Sequence, residues 1–116
     1  MDRKRRSKAE VTAGSGNVFA DLGLAEPEEE LTKAQLASVI RQVIKRRRLT
    51  QITAAALMGV DQPKVSALLN GRLANFSSER LMRLLTTLGQ DVEIMVRTKP
   101  RHQRRGQIRV VSAEHV

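Results

Sequence analysis

Cysteine, tryptophan and tyrosine are absent from this 116-residue chain, and phenylalanine occurs only at Phe19 and Phe76. Without cysteine there is no disulfide framework and no thiolate metal site, which fits a reducing compartment such as the cytoplasm. With so few rings, little is available on which unpaired bases could stack. No apolar run approaches the roughly 20 residues that span a bilayer. The basic opening MDRKRRSKAE is not followed by an apolar stretch, so it does not read as a secretory signal. Acidic residues are in deficit: 12 Asp and Glu face 21 Lys and Arg, for a net charge of +9. So basic a chain is drawn to polyanions. Its positive charge gathers at residues 3–8, 45–48 and 97–109, and its negative charge at Glu26 and Glu28 to Glu30. Nucleic acid is the first counter-ion to consider and a membrane surface the second. The poverty in aromatics favours duplex DNA over single strands.

The length favours one domain with tails. A core of roughly 60–80 residues is small and marginally stable alone, so oligomerisation is expected. Residues 1–17 read as a disordered basic tail, 18–97 as the folded domain and 98–116 as a second basic tail. Val18, Phe19, Leu22 and Leu24 form a small apolar cluster ahead of the first periodic segment. A helix is predicted over 28–47. Pro27 suits a first turn, Glu28 to Glu30 complement the positive end of the helix dipole, and Leu36, Ile40, Val43 and Ile44 share one face. Thr50 caps a second helix that Gly59 ends, although Thr53 stands where a capping box wants Glu or Gln. Asp61 caps a third, with Pro63 in its first turn, and Asn70-Gly71 stops it. Ser77 caps a fourth, whose stripe is Leu81, Leu84, Leu85 and Leu88. DVEIMVRT, residues 91–98, alternates as a strand does. It would have to pair with residues 108–112, with a partner protein or with its own copy.

Only Gly-Val-Asp joins the second and third helices, which forces the sharp turn of a helix-turn-helix. Ala55 is placed where the helices cross, and Val60, Val65 and Leu68 pin the third helix to the core. The opposite face of that helix shows Pro63, Ser66, Ala67 and Asn70, flanked by Gln62 and Lys64. A slim helix of this kind can enter the major groove, about 12 Å wide. Gln pairs bidentately with adenine, Ser reaches several base edges, and Ala or Pro touches a thymine methyl. Lys64, Asn70 and Arg72 suit phosphates, and Gln51 suits a phosphate or a brace to Gln62.

Residues 49–72, LTQITAAALMGVDQPKVSALLNGR, resemble the phage repressor/Cro-like helix-turn-helix family, also called the XRE family. With NVFADLGL upstream and FSSERLMRLLTTLGQDVEIMVRTKP downstream, residues 18–100 resemble its antitoxin-like subgroup, related to host-inhibition-of-growth antitoxins. The resemblance implies a mainly α, lambda-repressor-like bundle of four or five short helices followed by one C-terminal β-strand. It implies a homodimer on a palindromic double-stranded operator, repression of the protein's own operon and, in antitoxin members, binding of a toxin. By position it makes Gln51, Gln62, Pro63, Lys64, Ser66 and Asn70 the DNA-contacting set. Thr53 departs from the family's usual Glu.

No enzyme is expected. No glycine-rich phosphate loop and no nucleophile–base pair stands out, and His102 and His115 lack metal-ligand spacing, so neither cofactor nor metal is expected. The rival reading is a protein-interaction module that neutralises a toxin through NVFADLGL or residues 91–97, without operator binding of its own.

Overall fold

The structure, a computed structural model, describes residues 27–113. The chain divides into two units, Met1–Glu30 and Leu31–Val116. Only the opening helical turn of the first unit is described. The expected disordered segment at 1–17 and the apolar cluster from Val18 to Leu24 therefore lie outside the described residues.

Four helices account for the regular structure among the described residues: α1 (Pro27–Arg46), α2 (Gln51–Met58), α3 (Gln62–Leu69) and α4 (Ser78–Thr87). The first is predicted to within one residue at each end. Pro27 is its first residue, Glu28 to Glu30 occupy the first turn, and Lys45 and Arg46 the last. The three predicted caps all form. The Thr50 Oγ1 accepts from the Thr53 N–H, an Asp61 carboxylate oxygen from the Lys64 N–H and the Ser77 Oγ from the Arg80 N–H, each at 3.0 Å. Thr53 does not spoil the first of these: its own hydroxyl accepts from that of Thr50 at 3.0 Å.

Each helix unwinds through the same closing turn. A residue one or two positions past the helix takes a left-handed conformation, and the next N–H reaches back five residues: Leu49 to Ile44, Val60 to Ala55, Arg72 to Ala67, Gln90 to Leu85. These bonds satisfy carbonyls that the helix end leaves open. Gly59, Gly71 and Gly89 supply three of the left-handed residues, at φ +70°, +76° and +83°. The fourth is Arg48, at φ +57°. For a residue with a Cβ that conformation costs about 1–2 kcal/mol.

The core draws on all four helices. Leu36, Ala37, Ile40, Val43 and Ile44 of α1 meet Ala54, Ala55 and Met58 of α2, Val65 and Leu68 of α3, and Leu81, Leu84, Leu85 and Leu88 of α4 with its flank. Leu73 and Phe76, between α3 and α4, are buried with them. Ala54 is fully buried and Ala55 nearly so. The small side chains let α2 lie close against α3 and α4. Ile52 and Leu57, on the outer side of α2, are exposed.

The expected C-terminal β-strand is not formed: no strand is present among the described residues, and residues 91–100 run without regular structure, all exposed. Alternation alone does not make a strand; the backbone needs a neighbour's ladder of hydrogen bonds. The nearest intramolecular candidate, residues 108–112, is drawn elsewhere. The Val110 N–H donates to the Gln35 side-chain oxygen at 3.2 Å, and Val110 packs against the core beside α1. Ile94, Met95 and Val96 stay 74–89% exposed, so neither face of the alternating segment is buried.

Candidate nucleic-acid interface

The turn from Gly59 to Asp61 sets α3 across the end of α2. Val65 and Leu68 are only 0% and 1% exposed, fixing which side of α3 faces inward. Helical spacing then decides the rest. Gln62, Ser66 and Asn70 follow at intervals of four and form one stripe. The Asn70 side-chain amide donates to the Ser66 carbonyl at 2.8 Å and lies 3.4 Å from its hydroxyl, which tightens the lower end of the stripe. Gln62 and Asn70 are exposed and Ser66 half-buried. Gln62 has no side-chain hydrogen bond within the described residues, and neither does Gln51 at the first position of α2. The brace between the two glutamines is therefore not formed, and both amides face solvent.

A second flank of α3 borders a half-open depression of about 430 Å³. Pro63, Lys64 and Ala67 line it from the helix, and Arg72, Ala74 and Asn75 from the following loop, with the buried Phe76 beneath. The depression thus gathers four of the sequence-predicted residues, Pro63, Lys64, Ala67 and Arg72. The other four, Gln51, Gln62, Ser66 and Asn70, do not line it. Ala74 and Asn75 are not anticipated from the sequence. Their place in the short link between Gly71 and the Ser77 cap is the signal that could have found them, since so short a link stays beside the helix it leaves.

The loop is held from below. Lys33 of α1 is only 6% exposed, and its ammonium donates to the Leu73 carbonyl at 3.1 Å. That bond ties α1 to the chain just past α3. Lys64 and Arg72 are both exposed, so the outer surface carries positive charge, while the nearby Asp61 carboxylate is engaged with the first turn of α3. No group of three or more acidic, His or Cys side chains that could hold a metal ion occurs among the described residues. No described helix is long and apolar enough to cross a membrane.

Two helices meeting at a three-residue turn, the second presenting a slim polar surface with basic flanks, define a helix-turn-helix domain. Residues 18–97 match the family described as "Helix-turn-helix domain". A solved structure of a protein assigned to the XRE family of transcriptional regulators superposes with a TM-score of 0.72 at 55% identity, over 74% of this chain and 97% of that one. No curated protein matches the chain. The chain belongs to the helix-turn-helix family and, within it, to the XRE group of DNA-binding transcriptional regulators.

Proposed function

We propose that the protein is a sequence-specific repressor that binds a palindromic double-stranded operator as a homodimer. One observation carries the reading: the aligned, solvent-facing row of Gln62, Ser66 and Asn70 on a helix anchored by Val65 and Leu68. In this reading Gln62, Pro63, Ser66 and Ala67 meet base edges and thymine methyls in the major groove. Gln51, Lys64, Asn70 and Arg72 contact phosphates and set the register. Two copies of α3 enter successive grooves about 34 Å apart, and the bound dimer blocks access to the promoter. No bond is made or broken, and no cofactor or metal takes part. The setting is cytoplasmic, with the protein on the nucleoid when bound.

The likeness of residues 18–100 to antitoxins supports a narrower role, the autoregulating antitoxin of a toxin–antitoxin module with a toxin as second partner. Co-purification of a small protein encoded in the adjacent reading frame tests that role separately from DNA binding.

The test of the reading surface is Gln62→Ala. Gln62 is exposed and holds nothing else in place, so folding should be unaffected. Selection from randomised duplexes should show relaxed preference at one base position in each half-site, and specific affinity should fall by about 1–3 kcal/mol. An unaltered preference would remove Gln62 from the reading surface.

A further inference from the structure

We propose that Arg48 is an additional DNA-phosphate contact, held at the entrance to the helix-turn-helix at a cost to folding. The starting point is its backbone. Among the described residues every helix closes through the same left-handed turn, and three of the four turns use glycine. Arg48 alone places a side chain on that conformation, at φ +57°. The turn itself is normal: the Arg48 N–H reaches the Lys45 carbonyl at 3.1 Å and the Leu49 N–H the Ile44 carbonyl at 3.0 Å. Both bonds are made by main chain, so glycine would make them equally well without the strain.

Nothing within the described fold offsets the strain of the arginine. Its side chain is exposed and makes no hydrogen bond or ion pair among the described residues. Its neighbour Arg47, by contrast, is used internally, donating to the Leu88 carbonyl at 2.8 Å and closing the end of α4. A cation at a helix C-terminus does favour the dipole, but Lys45 and Arg46 already occupy the last turn of α1. A strained side chain without an internal partner points to a role outside the fold. Arg48 stands two residues before the Thr50 cap and three before Gln51, at the start of the motif that faces DNA. A fixed backbone there aims a guanidinium outward from a rigid turn, as a phosphate contact requires. A phosphate contact sets affinity for every sequence alike, so Arg48 would add to binding without adding to the base code.

The inference rests on the DNA-binding reading, and the experiment separates the two. Arg48→Gly, Arg48→Lys and the wild type are compared by thermal unfolding and by titration of a mixed-sequence duplex over a range of salt concentrations. The glycine variant should melt higher, by roughly 4 °C or more, because the strain is relieved. It should also bind more weakly, with the slope of log K against log salt reduced by about 0.9 for each phosphate no longer neutralised. The lysine variant should keep both the wild-type melting point and most of the slope. Arg83→Gln, which removes a charge already paired with Glu79 at 2.9 Å on α4, should leave the slope unchanged. A glycine variant that melts higher with an unaltered slope, or a slope that falls equally in Arg83→Gln, would overturn the proposal while leaving the DNA-binding reading intact. A glycine variant that melts lower would overturn the strain on which it is built. Absence of duplex binding by the wild type would remove the DNA-binding reading itself.

Discussion

Lys33 is a residue whose role depends on a partner 40 positions away. In the helical pattern of α1 it reads as one more solvated cation. In the fold it is buried, with its ammonium on the Leu73 carbonyl. A buried carbonyl that loses its donor retains its desolvation cost, about 1–3 kcal/mol. Lys33→Met keeps the stem's packing and removes the donor. It should lower stability by about that amount, as a shift of the urea midpoint at constant m-value. Other single-residue features are readable because they are local. Thr50, Asp61 and Ser77 cap as predicted, each bonding an N–H three residues on. Spacing alone places Ala55 at the helix crossing, although Ala54 proves the more enclosed of the two. Leu73 and Phe76 escape such a reading because nothing nearby in sequence tells a buried loop residue from an exposed one, and Lys33 escapes it because its partner lies in that distant loop.

Among the elements, the helices are legible in the sequence and the missing strand is not, for one physical reason. A helix satisfies its own backbone, so its caps and its apolar face suffice to define it. A strand depends on a neighbour, and the sequence around 91–98 cannot say whether one is available. Here Val110, in the nearest candidate partner, is committed to α1 instead. Among the four helices, α3 is the one whose placement matters most for the reading surface. It has eight residues, too few to be stable alone in water. Its orientation therefore rests on Val65 and Leu68, which sit in the core on its inner side. Leu68→Ala removes most of a side chain that is 1% exposed and should cost about 2–5 kcal/mol. The same change should weaken specific DNA binding more than non-specific binding, because base contacts need the helix in register whereas phosphate attraction does not. Parallel chemical denaturation and salt-matched titration on selected and mixed-sequence duplexes check both parts.

For the molecule as a whole, charge and architecture point the same way. The net charge of +9 supplies attraction to any duplex, and α3 supplies a surface on which discrimination can rest. Much of the excess charge lies beyond α4, in residues 97–109. Deleting everything after Lys99 would be an ambiguous experiment. It would also remove Val110, which packs on the core and bonds Gln35, so stability and binding would change together. Substitution separates them. Arg101 and Arg104 are exposed, and neither has an ion pair among the described residues. Replacing both by Gln removes two charges and leaves the Val110 anchor in place. If this segment tracks the DNA backbone, affinity should fall on every sequence by a similar factor, and the salt slope should drop by up to about 1.8 per protomer. Base preference and melting temperature should stay as in the wild type. A slope that does not move would confine phosphate binding to the helical domain, and the basic residues after Lys99 would then serve some other contact.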